Sequence, residues 1–340
     1  MNLPGLHKVN VKNKRVLVRC DLDIPEKDDT RLKGLIPTLV FLIENEAKII
    51  LIGHRGRPDG KIDGKLSLEP VSGLLSELVG KSIRFVWDIS GVETEHEAER
   101  IGSDEIIMLE NLRFDSREEK NDPEFAKRLA SFGEIYVNEC FADSHREHAS
   151  IVGIPKFLPH AAGFQFTREI ENLNKVLENP ERPVVVVIGG AKSDKKKYVE
   201  KLLSHADWVL VGGLLPRLVK SYCRTDGKIC VCAACLLPSE KDIDATSAGN
   251  FSKILSQAGT IVWNGPMGEY ENPEFSRGTE MIARAIASSK ALKIVGGGDT
   301  LAALQSFGIL DKMDWVSSGG GSMLEFLAEG DLAGLKALRA

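Results

Sequence analysis

Leu292-Lys-Ile-Val-Gly-Gly-Gly-Asp-Thr300 reads as a short apolar strand that ends in three glycines and opens a helix near Thr300. Consecutive glycines let backbone N–H groups approach a phosphate with no side chain in the way. The start of a helix adds partial positive charge. The same ending recurs across the second half of the chain. Thr260-Ile-Val-Trp263 runs into Asn264-Gly-Pro-Met-Gly268, and Val184–Ile188 runs into Gly189-Gly-Ala-Lys192. Ser317-Ser-Gly-Gly-Gly-Ser322 precedes a helical stretch, Met323–Ala328. In the first half Lys48-Ile-Ile-Leu-Ile52 runs instead into Gly53-His-Arg-Gly-Arg-Pro58. Glycine loops suit phosphate, whereas clusters of Arg and His hold a small acid by charge.

Working outward, short apolar strands alternate with helical patterns along nearly the whole chain. The first half offers Arg15–Arg19, Lys48–Ile52, Ile83–Val86, Glu105–Leu109 and Ile135–Val137 as strands. Leu32–Glu44, Glu69–Leu78 and Pro123–Ser131 fill the gaps as helices. The second half continues with strands Val184–Ile188, Trp208–Val211, Ile229–Cys232, Thr260–Trp263, Leu292–Val295 and Trp315–Ser317. Strands apolar on both faces with helices between them predict an α/β protein with a doubly wound parallel sheet in each half. Thr167–Leu177 has helical spacing and stops at Asn179-Pro180, before Arg182-Pro183. That break predicts domains at 1–166 and 181–325, linked by a helix over 167–180, with a terminal segment at 326–340. Ligands of such sheets bind beyond the carboxyl ends of the strands, where the Arg/His and glycine loops fall.

Composition narrows the classes of function. The 340 residues carry a net charge of −5, so nothing suggests general attraction to nucleic acid or anionic lipid. No apolar run reaches the roughly 20 residues of a membrane span, and the amino terminus lacks the pattern of a signal peptide. We expect a cytosolic protein. Cys223, Cys230, Cys232 and Cys235 lie close together, the last three in an apolar run. With no second ligand pair nearby they read as buried thiols rather than a zinc site.

Each loop admits a functional and a plainer reading. Asp299 is a candidate Mg²⁺ ligand, since Mg²⁺ takes one or two carboxylates plus phosphate oxygens; it also suits a helix cap. Lys192 behind glycines suits a phosphoryl group in flight, while at least one of Lys195, Lys196 and Lys197 belongs to a solvated helix face. Arg19, Arg31, His54, Arg57, Arg113, His145 and Arg146 lie at strand ends or helix starts, with Asp21 and Asp23 beside them. They form either an anion pocket or ordinary ion pairs. Neither a G-x-x-x-x-G-K-[ST] loop nor a G-x-G-x-x-G opening a βαβ unit is present, which argues against a P-loop ATPase and a nicotinamide dehydrogenase.

Taken together these stretches resemble the phosphoglycerate kinase family. The resemblance rests on Arg15-Val-Leu-Val-Arg-Cys-Asp-Leu-Asp-Ile-Pro25, Gly53–Pro58, Glu110-Asn-Leu-Arg-Phe114 and His145-Arg-Glu-His-Ala-Ser150 in the first half. In the second it rests on Gly189–Lys192, Trp263–Gly268, Gly296–Thr300 and Ser318–Ser322, in the family's order. It implies two Rossmann-like three-layer αβα domains joined by a hinge helix, closing around 1,3-bisphosphoglycerate and ADP to give 3-phosphoglycerate and MgATP. It implies that Asp21, Asp23, Arg31, His54, Arg57, Arg113 and Arg146 contact the acid. Arg31 and Lys192, with N–H groups around Gly298 and Gly321, would stabilise the moving phosphoryl group. Gly190, Ala191, Lys195 or Lys196, Gly212, Gly213, Asn264, Pro266, Glu271, Gly297, Gly298 and Thr300 would hold ATP or ADP, with Asp299 on Mg²⁺. It implies a monomer whose carboxyl end packs back on the first domain. A kinase of the same fold for another carboxylate, and a non-catalytic nucleotide-binding relative, are the rival readings.

The chain departs from the family in four places. Asp23 stands where the family usually has Asn. The lysine loop is one residue short, which leaves Lys195 and Lys196 as alternatives for the second phosphate lysine. The stretch from Gly213 to about Thr246 is much shorter than usual, with Asp242-Ile-Asp-Ala-Thr-Ser247 where the family has a glycine-proline-lysine turn. Asp331–Ala340 reads as an extra helix.

Overall fold

A computed structural model describes residues 3–24, 29–103, 105–218, 229–230, 239 and 241–340. The chain divides into two compact units, residues 1–170 with 331–340, and residues 171–330. Each is built on one six-stranded, all-parallel sheet.

The first sheet contains β1 (Arg15–Cys20), β2 (Lys48–Ile52), β3 (Ile83–Val86), β4 (Ile106–Leu109), β5 (Ile135–Glu139) and β6 (His160–Ala162). Their order is β3-β4-β2-β1-β5-β6. Val16, Val18, Ile49 and Leu51 are fully buried and pack with Leu32, Leu35, Leu39 and Leu42 of the helix Thr30–Glu44. Runs of branched apolar residues suit strands covered on both faces. The chain leaves β1 toward β2 on one side, and β5 returns on the other, so the order reverses between β1 and β5. That reversal is where open α/β sheets leave a crevice.

The second sheet contains β7 (Val184–Ile188), β8 (Trp208–Val211), β9 (Ile229–Cys230), β10 (Thr260–Asn264), β11 (Leu292–Gly296) and β12 (Trp315–Ser317). The order is β12-β11-β10-β7-β8-β9. All five residues of Val184-Val-Val-Val-Ile188 are buried. Val185, Val187, Ile261 and Trp263 pack with Phe251, Leu255, Ile282 and Ile286 from the helices Ala245–Leu255 and Arg277–Ser288. Here the order reverses between β7 and β10, the two strands that end in Gly189-Gly190 and Asn264-Gly265.

The two parallel sheets with helices are the fold class the alternation predicts. Some details differ. β6 lies where no strand is read from sequence, because His160-Ala-Ala162 is three residues long and has no branched side chain. The terminal helix is short, Ala333–Ala337, and Gly334 N–H donates to Ser144 O in the first unit. The unit boundary falls after Ile170, inside the helix Phe164–Leu177, rather than at its ends. A proline marks where a helix stops, not where packing changes. The helix Gly320–Glu329 runs unbroken past residue 325, so the second boundary moves to Gly330. No helix among the described residues is long and apolar enough to cross a membrane. Of the cysteine cluster only the backbone of Cys230 lies within the described residues, so its thiols fall outside them.

The helix that crosses the unit boundary starts on a buried carboxylate. Glu139, the last residue of β5, accepts Gln165 N–H (3.0 Å) and the Thr38 hydroxyl (2.5 Å) on one oxygen and Phe166 N–H (2.9 Å) on the other. The two amides are orphan donors of a first helical turn. Burial pushes the Glu139 carboxyl up to about 7, against the pull of these hydrogen bonds. Its native proton is held more tightly than an unfolded glutamate's. Its contribution to stability is therefore greatest at low pH and falls as pH rises from about 4.5 to about 7. Glu139→Ala is expected to cost about 2 kcal/mol in urea unfolding, with the larger loss at pH 5 than at pH 8. An unchanged midpoint at both pH values would contradict this.

Candidate functional site

At the reversal of the first sheet, strand ends deliver charged side chains into one space. Asp21 follows β1 and is buried; its Oδ1 accepts from Arg31 Nη1 at 3.0 Å, while its Oδ2 is buried without a partner. Burial pushes the Asp21 carboxyl up to about 6, with Arg31 opposing. Arg31 Nη1 also donates to Asp23 O at 2.9 Å. Asp23 Oδ1 accepts Gly56 N–H at 2.8 Å, which pins the loop after β2. Its Oδ2 lies 3.8 Å from His54 Nε2. His54 is buried, and burial drives its pKa well below the ordinary value, so the ring is neutral. Arg113 is buried, donating to Gly56 O at 3.0 Å and to Asp143 Oδ1 at 3.2 Å. Arg146 is half-buried with Nε 3.2 Å from the same oxygen. Arg57 is exposed and has no side-chain partner among the described residues.

Arg57 apart, the site residues read from sequence in this unit fall into two sets, linked by the 3.8 Å approach of Asp23 to His54. One is Asp21, Arg31 and Asp23. The other is His54, Arg113 and Arg146, gathered by a residue the sequence reading did not assign, Asp143. Arg19, fully buried, joins it with Nη2 3.4 Å from Asp143 Oδ2. The visible signal for Asp143 was its place two residues before His145-Arg146 at the carboxyl end of β5.

At the reversal of the second sheet the glycine loops are stitched to one another. Gly189 N–H donates to Asn264 O (2.9 Å), Gly190 N–H to Pro266 O (2.8 Å) and Gly213 N–H to Met267 O (2.9 Å). Gly190 and Gly265 have φ of 91° and 94°, and a Cβ on Gly265 would collide with Gly189 backbone, so glycine is required there. Asn264 is buried, and its Nδ2 donates to Gly296 O (2.9 Å) and Gly320 O (3.1 Å). Thr300 is buried and its hydroxyl accepts Gly265 N–H at 2.6 Å. The side chains of Asn264 and Thr300 therefore tie the loops after β10, β11 and β12 together.

The helix after β11 begins at Gly298, with Gly297 at its cap and Asp299 exposed in the first turn. Asp299 is therefore not the cap. Ala191, Lys192, Gly298 and Gly321 are exposed, and Gly212 is buried against Met267. Lys195 Nζ donates to Gly189 O at 2.8 Å, whereas Lys196 is exposed at the start of the helix Lys196–Leu202. Burial, then the charge of Lys192, lowers the Lys195 pKa to about 8, with Asp299 opposing. Glu271 is exposed, and with burial first, Glu271 and Asp299 together raise the Tyr270 pKa. Asp299, Lys195 and Glu271 thus border one region. Among the described residues no group of three or more His, Cys, Asp or Glu is placed to hold a metal. A single carboxylate beside exposed N–H groups does fit Mg²⁺ that arrives with phosphate oxygens. The segment 242–247 forms a structural turn: Asp242 is buried and accepts Gly278 N–H at 2.7 Å, and Asp244 caps the helix Ala245–Leu255.

One α/β unit that gathers arginines, a histidine and aspartates at its sheet reversal, and one that gathers glycine loops, have the chemistry a phosphoryl-transfer enzyme needs. The comparisons with known proteins make this specific. The phosphoglycerate kinase family profile matches residues 6–228 and 236–330. A phosphoglycerate kinase from Moorella thermoacetica is 39% identical over 385 aligned positions, covering 98% of each chain. That alignment is longer than this chain, so the relative carries residues absent here. The solved phosphoglycerate kinase of Pyrococcus horikoshii superposes with a TM-score of 0.85 at 32% identity, covering 99% of this chain and 98% of that one. That of Coxiella burnetii gives 0.81 at 33% identity, covering 99% of both. The chain belongs to the phosphoglycerate kinase family.

Proposed function

We propose that the protein catalyses reversible phosphoryl transfer between 1,3-bisphosphoglycerate and ADP, giving 3-phosphoglycerate and MgATP, as a monomer in the cytosol. The observation that carries this reading is the pairing of two sheet reversals with opposite chemistry. One gathers arginines and aspartates; the other gathers glycine loops and a half-buried lysine.

An acyl phosphate has a good leaving group, so no covalent intermediate on the protein is needed. The work is positioning and charge neutralisation. On the acid side Arg31 reaches past Asp21 and Asp23 to the moving phosphoryl group. The partnerless Oδ2 of Asp21 accepts a substrate hydroxyl, which would satisfy a buried acceptor. Arg57, Arg113 and Arg146 hold the phosphate and His54 hydrogen-bonds the acid as a neutral ring. On the nucleotide side Lys192 is the exposed point charge for the transferred group. Gly190, Ala191, Gly212, Gly213, Pro266 and Glu271 border the nucleotide, while Gly297, Gly298, Thr300 and Gly321 present or brace N–H groups. Asn264 positions those loops. Asp299 would hold Mg²⁺, which supplies neutralisation of the β- and γ-phosphate charge.

Lys195, not Lys196, is the second phosphate lysine, because it alone reaches back to the loop after β7. Lys195→Met should weaken ADP binding about tenfold, and Lys196→Met less than about twofold, as expected of an exposed charge. Since the Lys195 pKa is lowered to about 8, the ammonium is present below that pH and lost above it. ADP affinity should therefore fall as pH rises through about 8, and Lys195→Arg should flatten that fall. Calorimetry from pH 6.5 to 9.5 checks both; equal losses in the two Met variants, or the larger loss in Lys196→Met, would overturn the assignment.

The reading as a whole is tested by coupled assay of ATP formation from 1,3-bisphosphoglycerate and ADP. Mg²⁺-dependent turnover supports it, and its absence in folded protein overturns it. Sedimentation of the same sample reports the monomer.

A further inference from the structure

Basic side chains from four strand ends converge on a carboxylate that no part of the reaction calls for. Asp143 Oδ1 lies 3.2 Å from both Arg113 Nη2 and Arg146 Nε. Its Oδ2 lies 3.1 Å from His54 Nδ1 and 3.4 Å from Arg19 Nη2. Only 9% of its side chain is exposed. Burial opposes its charge, but the surrounding basic groups outweigh burial and hold it well below the usual carboxylate range. Asp143 therefore stays ionised wherever the enzyme works.

A carboxylate offers two oxygens to guanidinium groups in the same way as a phosphate or a substrate carboxylate does. Asp143 thus stands where a bound anion would compete for Arg113 and Arg146. It cannot attract a substrate anion, and at this range it repels one. It does fix the two arginines that a substrate would meet, so they need not be ordered on binding. A small anion gains little from cations already neutralised. A ligand with a second anionic group can add Arg31, whose Nε and Nη2 carry no bond among the described residues.

We propose that Asp143 is a specificity-determining residue of the acid site. Its carboxylate positions Arg113, Arg146 and His54 and lowers the affinity of that cluster for single small anions, favouring acids that carry two separated anionic groups. This rests on the reading of the first unit as the acid site.

The test is Asp143→Asn in the full chain, with inorganic phosphate as probe, at low ionic strength. Calorimetry should show phosphate binding about tenfold tighter than in the unchanged protein. The KM for 3-phosphoglycerate should change by a smaller factor than the phosphate affinity, so that the preference for the two-group acid over phosphate falls severalfold, and the KM for ADP should not change. A role confined to folding would not raise anion affinity. Folded Asp143→Asn protein with unchanged or weaker phosphate binding overturns the proposal. Should the single variant unfold, Arg19→Gln/Asp143→Asn removes a buried cation together with the buried anion. The same gain is then expected, and its absence overturns the proposal equally. Phosphate binding is read without turnover, so a failure of the kinase reading, seen as an inactive enzyme in the coupled assay, is told apart from a failure here.

Discussion

Arg31→Ala is expected to lower kcat about a thousandfold, the scale set by arginines that neutralise a phosphoryl group in transfer. Arg31 is the second residue of the helix Thr30–Glu44, and its guanidinium is aimed by Asp21 Oδ1 at 3.0 Å and Asp23 O at 2.9 Å. Both bonds use Nη1. Among the described residues Nε and Nη2 carry none, so a bidentate edge is left for a ligand. Burial works against its charge, and Asp21 with Asp23 more than offsets it, so the pKa is raised and the group stays cationic. The fold should survive the change. Asp21 already has a carboxyl pKa raised to about 6, so without Arg31 it takes up a proton rather than remaining a buried bare charge. Arg31→Lys should recover less than about tenfold, because a point charge cannot replace the fork. KM for ADP should not change. Coupled kinetics with circular dichroism as the folding control decide the matter; kcat within tenfold of the unchanged enzyme would remove Arg31 from the transfer step.

Much of the fold was legible because parallel strands buried on both faces must be apolar throughout. Val184–Ile188 and Lys48–Ile52 announce themselves, and the loops after them fall where ligands bind in such sheets. What stayed hidden depends on long-range pairing. Arg19 and Asp143 meet across 124 positions of sequence. From sequence the Arg and His residues of the first half, with Asp21 and Asp23 beside them, suit either an anion pocket or ordinary ion pairs. Folded, they are interleaved with Asp21, Asp23 and Asp143, which offset part of the charge of the five arginines. Lys195 and Lys196 could not be separated by spacing, because a single turn of 3-10 helix at Ser193–Lys195 sets the phase of the helix that follows. Asp299 could be read as a cap only until Gly297 was seen in that position. Asn264 was readable as part of a motif, but its work on two other loops was not.

Asn264→Ala should damage the nucleotide half far more than its size suggests. Asn264 ends β10, where it pairs in register with Ile188 of β7 and Gly296 of β11. Its backbone oxygen accepts Gly189 N–H, and its side-chain amide donates to Gly296 O and Gly320 O. Three glycine loops with little apolar surface of their own are thus joined through one buried residue. Removing the amide strips a hydrogen bond from each of two carbonyls in the interior and leaves a void beside Gly297 and Gly320. We expect a loss of about 3 kcal/mol in the stability of the second unit. The loop at 319–321 would no longer be tied to the helix start at Gly298, so the N–H groups proposed to face phosphate would lose their registration. ADP affinity should fall about thirtyfold. Phosphoglycerate binding should change less than about twofold, because the acid residues rest on a separate core. Asn264→Asp should do worse than Ala, since a carboxylate cannot donate to those carbonyls and would repel the nucleotide phosphates. Calorimetric titration with each ligand separately, alongside urea unfolding, measures all of this. An ADP affinity within threefold of the unchanged protein would mean that the glycine loops hold their positions without Asn264.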